Sequence, residues 1–323
     1  MRASKIPLAL ACVLAVLGLA GCDSFFEVEN PTDIEADDLD NQNMTTALAN
    51  SPHIAVAEWY DFAVEIGGLP GDGVIHASNN QGNLRPDRGT FGTFTQRAEN
   101  LYNGLASAQW TARETTEKLR GLIDSPDSDA RVARGYYWDA LARVTLADLY
   151  ERVTFDGGPP HDPPEVYRMA IDILETAASI GRSAGDMEVV AAAEATIARA
   201  YRSIYFDTGG NDASLFEEAA QHAQAALDAQ SDFVFYARYA QPGSENGLFD
   251  ALANGSTYDL MDPKIAYIED PASGVEDPRV QHTDQQGVGS RGDTIYWQQK
   301  YTSRDDDIPV SSWEEAVDRK SVV

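Results

Sequence analysis

Between positions 43 and 229 apolar residues recur three, four or seven apart, with few β-branched runs. That period is the mark of amphipathic helices. From Thr95 to Leu122 the stripe is Ala98, Leu101, Tyr102, Leu105, Ala108, Ala112 and Leu119. From Ser128 to Arg152 it is Val132, Ala133, Tyr136, Tyr137, Ala140, Leu141, Val144, Ala147 and Tyr150. Three more predicted helices follow: one marked by Val166 to Ala177 and ending near Gly181, one over Met187 to Phe206, and one over Ala213 to Ala229. An earlier one, Asn43 to Ile66, contains Pro52, which is expected to break or kink it. Asp156-Gly157-Gly158-Pro159-Pro160 and Gly209-Gly210 are breakers, and the acidic turn Asp124 to Asp129 can cap the helix after it.

Alanine-rich stripes let helix axes approach closely, as antiparallel hairpins in stacked repeats require. Ala133-Arg134-Gly135-Tyr136 and Glu217 to Ala223 look like degenerate tetratricopeptide-repeat helices, without the full repeat signature. The stripes read as core, with Trp59 and Trp110 expected to be buried. Residues 67–94 are rich in Gly, Asn and Arg and read as a long loop, a feature that is usually functional or disordered. Beyond Ser231 helical periodicity stops, Gly, Pro and Asp become frequent, and Phe233-Val234-Phe235 looks strand-like. Aromatic residues persist there, so this part reads as irregular structure packed on the helices. The expected fold is mostly α, with tetratricopeptide-like helical hairpin repeats and a long irregular region packed on them. Residues 41–230 form the scaffold and 231–317 the irregular, ligand-facing region.

Composition narrows the partners. With 24 Lys and Arg against 52 Asp and Glu the net charge is -28, which excludes nucleic acid as a partner and disfavours docking onto anionic lipid. Lysine is confined to five positions, a pattern that fits a saline habitat. At the N-terminus, Arg2 and Lys5 precede an apolar run from Ile6 to Ala20 that ends in Leu19-Ala20-Gly21-Cys22. That run is a signal peptide rather than a membrane span. Its end looks like a bacterial lipobox, which places the signal at 1–21 and lipidation at Cys22. The acyl chains then attach the protein to the membrane. Residues 22–40 follow as an acidic, solvated tether. Cys12 leaves with the signal, so no disulfide is expected. At the other end, Asp318 to Val323 is what the sequencing-adapter string GATCGGAAGAGCGTCGTG encodes. These residues, 318–323, are set aside from fold reasoning, and the natural chain is expected to be truncated after about Val317.

Catalytic constellations are sparse. Gly287-Val288-Gly289-Ser290-Arg291-Gly292 matches a dinucleotide fingerprint, but a polar stretch precedes it and no helix start follows. No phosphate-loop lysine, His-Glu-x-x-His or Gly-x-Ser-x-Gly is present, and the five histidines lack metal-ligand spacing. No catalytic residue, metal or cofactor is expected.

The lipobox followed by Cys22-Asp23-Ser24-Phe25-Phe26-Glu27-Val28-Glu29-Asn30-Pro31 resembles the start of SusD/RagB-like nutrient-uptake lipoproteins. So, in order along the chain, do Arg134 to Tyr150, Asp277-Pro278-Arg279-Val280, Gln299-Lys300-Tyr301 and Ile308 to Ala316. The resemblance implies a non-catalytic lipoprotein of the outer membrane, exposed at the cell surface. It would capture a nutrient, often an oligosaccharide, and deliver it to a SusC-like TonB-dependent transporter. The repeats would face the transporter, and the first long loop and the irregular segments would form the binding surface. Sugar platforms combine aromatic faces with planar hydrogen-bonding side chains. Within 67–94 the residues of that chemistry are His76, Asn79, Asn80, Arg85 and Phe91, joined by Tyr236, Tyr239 and Tyr258. The alternatives are a repeat-scaffold lipoprotein of envelope assembly and a secreted hydrolase with two convergent carboxylates.

Overall fold

The computed structural model describes residues 42–70, 74–77, 81–90, 96–254, 261–263, 269–270, 275–276, 282–288 and 294–321. The signal peptide, Cys22 and the acidic tether lie outside the described residues. Helix α1 (Thr45–Gly68) buries Leu48, Val56, Ala57, Tyr60, Ala63 and Ile66. Pro52 lies inside it, so the expected break does not occur. An interior proline costs about 3 kcal/mol in a helix. Here the apolar stripe on both sides of it packs on two later helices, and Pro52 is itself buried.

Helix α2 (Gln81–Asp87) and strand β1 (Val74–His76) fall in the segment predicted to be a loop, which is therefore not structureless. The long helices then follow close to their expected limits: α3 (Gln96–Leu122), α4 (Ala130–Leu149), α5 (Pro163–Ala184), α6 (Met187–Asp207) and α7 (Ala213–Ala229). Aspartates start three of them. The Asp129 carboxylate accepts from the Arg131 N–H, Asp186 from Val189 and Asp212 from Ser214. Pro163 and Pro164 occupy the first turn of α5, and Gly185, with φ 75°, ends it. Each of α3 to α7 packs on the next, and α1 packs on α3 and α4. The body is thus a stack of helical hairpins.

Small residues set how close the hairpins lie. A Cβ on Gly135 of α4 would stand 2.2 Å from the Thr116 Oγ1 of α3. One on Gly104 would stand 2.2 Å from the Trp59 ring, and one on Gly181 2.8 Å from Val189 Cγ1. From Val189 to Ala198 every residue of α6 is buried, half of them alanine.

The second region holds β2 (Val234–Ala237), β3 (Met261–Pro263), β4 (Glu269–Asp270), β5 (Val275–Glu276), β6 (His282–Val288), β7 (Thr294–Gln298) and β8 (Ile308–Ser312). They pair antiparallel as β1–β3, β2–β8, β4–β5 and β6–β7. The region is less irregular than its composition suggested. Strand β6 precedes the glycine-rich stretch, contrary to expectation, but a second strand and not a helix follows it. Helix α8 (Trp313–Ser321) packs on α7 and α6, with Ala316 joining Ala191, Ala195, Ala226 and Phe233 in one apolar cluster. Asp318 to Ser321 continues this helix, and the Arg319 guanidinium donates to the Ala195 carbonyl.

A polar latch ties the second region to α1. The buried Asp61 carboxylate accepts from the backbone N–H of Gly247 at 2.7 Å and of Phe62 at 2.6 Å. Burial pushes its carboxyl up to about 6, although the two N–H bonds pull the other way. Asn246 donates to the Asp306 carbonyl at 2.7 Å. The adjacent Asp305 and Asp307 carboxylates accept from the N–H groups of Gln241 at 2.8 Å and Tyr239 at 3.0 Å.

Two outcomes follow for stability. Gly135→Ala should lose about 1–3 kcal/mol by overpacking, and Thr116→Ala in the same chain should restore much of it, as measured by denaturant unfolding. Asp61 binds its proton more tightly folded than unfolded, so its contribution to stability falls as pH rises from about 4 to 6. Across that window the stability of Asp61→Asn relative to wild type should therefore increase, and a flat difference would refute the assignment.

Candidate ligand-binding cleft

Strand β2 lies on the helices by its aromatic face. Phe235 packs 4.6 Å from Tyr137 and 5.6 Å from Trp138, ring centre to ring centre. Side chains alternate along a strand. Phe235 and Ala237 therefore point inward, while Tyr236 and Arg238 are exposed on the opposite side. The bulge between Phe235 and Tyr236 shifts the β2–β8 register at this point.

The result is a cleft of about 200 Å³ between β2, α1, α4 and the first turn of α6. Asn50 and His53 line it from α1, Arg134 and Trp138 from α4, Glu188 from α6, and Tyr236 and Arg238 from the strand side. His53 Nε2 accepts the Arg238 N–H at 2.8 Å, and its ring meets Trp138 edge-on at 4.9 Å. Burial, then the Arg238 charge, lowers the His53 pKa, while Asp307 opposes the shift. The ring is therefore neutral at pH 7, with its proton on Nδ1. Arg134 binds Asp186 through Nε (2.7 Å) and Nη2 (3.0 Å) and Glu188 through Nη2 (2.8 Å), while its guanidinium lies 5.3 Å from the centre of the Phe235 ring. The cleft thus joins aromatic surface to planar hydrogen-bonding groups. Its chemistry suits reversible binding of a polar ring. Among the described residues no cluster of His, Cys, Asp or Glu could hold a metal ion.

Of the residues chosen from sequence, the structure places Tyr236 in this cleft, 37% exposed. Tyr239 belongs to the interior instead. It is buried, with its hydroxyl donated to the Ala57 carbonyl at 2.9 Å, which anchors the strand to α1 rather than presenting a ring to a ligand. His76 is fully buried on β1, where its backbone N–H donates to Asp87, so it has no face open to a ligand. Arg85 is exposed on α2, and neither His76 nor Arg85 lines the cleft. Asn79, Asn80, Phe91 and Tyr258 lie outside the described residues. Trp59, expected to be buried, is half-buried against Gly104, and Trp110 is 52% exposed. His53, Trp138, Arg134 and Arg238 were not singled out from sequence. The two-residue spacing of Tyr236 and Arg238 beside the strand-like Phe233 to Phe235 was the available signal for two of the lining groups.

No protein-family model matches the sequence, and no curated protein does. Solved structures do. A SusD/RagB family protein from Bacteroides thetaiotaomicron matches with a TM-score of 0.54 and 13% identity, over 87% of this chain and 65% of its own. A SusD superfamily protein from Parabacteroides distasonis matches with a TM-score of 0.64 and 11% identity, over 89% of this chain and 76% of its own. A third structure, solved with a xylogluco-oligosaccharide, matches with a TM-score of 0.59 and 12% identity, over 86% and 70%. The chain therefore spans about two-thirds to three-quarters of the length of these neighbours. Stacked helical hairpins with a strand-bearing region laid on them are the architecture that it shares with them, and its fold is SusD-like.

Proposed function

We propose that this chain is a non-catalytic, glycan-binding lipoprotein of the outer membrane, anchored through Cys22 and exposed at the cell surface. It passes an oligosaccharide to a SusC-like TonB-dependent transporter. The observation that carries the reading is the cleft of aromatic and planar polar side chains on a SusD-like scaffold. One neighbour of that fold was solved with a xylogluco-oligosaccharide, which supports a saccharide as the ligand class. Tyr236 offers a ring face for apolar C–H patches, and Asn50 and Arg238 offer directional donors for hydroxyls. Holding and release need only modest affinity and no bond cleavage. Attachment through two acyl chains at Cys22 leaves the acidic body free of the bilayer. Among the described residues no helix is long and apolar enough to cross a membrane.

A panel of neutral and acidic plant oligosaccharides, titrated calorimetrically, should yield at least one binder of 1:1 stoichiometry. Tyr236→Ala should weaken it at least tenfold, about 1.4 kcal/mol, without lowering Tm. Absence of binding across the panel would overturn the reading. In cells, Cys22→Ala should release the protein from the membrane fraction, and the intact lipoprotein should co-purify with a large barrel protein. Recovery of periplasmic partners alone would favour an envelope scaffold.

A further inference from the structure

We infer that the cleft prefers an acidic sugar, with the carboxylate of a single uronate ring seated on Arg238. The inference deepens the saccharide reading and rests on it. Most charged groups around the cleft are already engaged. The Arg134 guanidinium is shared between Asp186 and Glu188, so both carboxylates at that side of the cleft are hydrogen-bonded. Asp307, which acts on His53 from the strand side, accepts from the Tyr239 N–H at 3.0 Å. His53 is neutral, because its Nε2 is taken by the Arg238 backbone N–H. The Arg238 side chain is different. The residue lines the cleft, where its backbone N–H meets His53, and its side chain is exposed and carries no ion pair among the described residues.

A guanidinium with no ion partner among the described residues is open to an anionic ligand. Its paired N–H vectors match the two oxygens of a carboxylate, and such charge-assisted bonds are about twice as strong as those to neutral hydroxyls. The global negative charge does not cancel this preference. Screening beyond about 8 Å at physiological salt leaves the nearby groups in control. Size limits the ligand as well. At about 200 Å³ the cleft is smaller than the ~300–1,000 Å³ of sites for drug-sized molecules, so it admits one ring while the rest of a saccharide extends outward.

The test compares digalacturonate with its carboxyl-reduced, neutral counterpart on the full chain, by calorimetry or chemical-shift titration. Wild type should bind the acidic disaccharide at least tenfold more tightly. Arg238→Gln should bind the two alike with an unchanged Tm, and Arg238→Lys should recover part of the discrimination. Equal binding by wild type, or an Arg238→Gln variant that weakens both disaccharides equally, would overturn the inference. If the neutral disaccharide binds and the acidic one does not, the carboxylate assignment fails while the saccharide reading stands. If neither binds and the wider panel also fails, both are lost.

Discussion

The spacing between α3 and α4 governs much of what surrounds it. At Gly135 the two backbones lie so close that the Thr116 side chain occupies the place of a Cβ. Tyr137 and Trp138, two and three residues further along α4, are thereby drawn inward, where both meet Phe235. Among the described residues strand β2 pairs with β8 alone, and a two-stranded ribbon is marginal in water. What holds it is this aromatic seam against a helix that cannot retreat. Packed interiors transmit small displacements. A change at the α3–α4 contact therefore reaches the opposite face of β2, where Tyr236 and Arg238 stand.

The acidity of the chain has a structural component that composition hides. Asp129, Asp186 and Asp212 start helices. Asp61, Asp305, Asp306 and Asp307 accept backbone N–H bonds that pin the second region. Glu194, buried on α6, binds both Arg182 and His222 Nδ1. These carboxylates satisfy donors that would otherwise be stranded at helix ends and in loops. Many of the other described acids lie on the solvated surface, although Glu65 and Asp139 are buried.

The helices were legible because their signals are local. Apolar period and the Gly-Gly and Gly-Pro breaks fixed α7 to the residue and α6 to within one. Pro52 misled because its local cost is outweighed by contacts with helices that begin some fifty or more residues later. Strand β8 was missed for a similar reason, since Ile308 to Ser312 becomes a strand by pairing with residues over seventy positions earlier. The cleft was hardest to see. It is assembled from positions near 50, 135, 188 and 237, on four separate elements, and nothing within one window marks that convergence. Tyr236 was found by residue type. Tyr239 shows the weakness of that criterion, because a phenol suited to a sugar serves equally well as an internal anchor.

The pairing of β2 with β8 also bears on assembly. A ribosome that has made residues 45–229 has supplied every helix of the hairpin stack, each packed on a near neighbour in sequence. The wall carrying Tyr236 and Arg238 must wait, because its partner strand and the aspartates at 305–307 are synthesised some seventy residues later. Closing so long a loop is entropically costly, though the cost grows only logarithmically with length. Completion of this wall is thus a late step, separable in time from that of the body on which it rests.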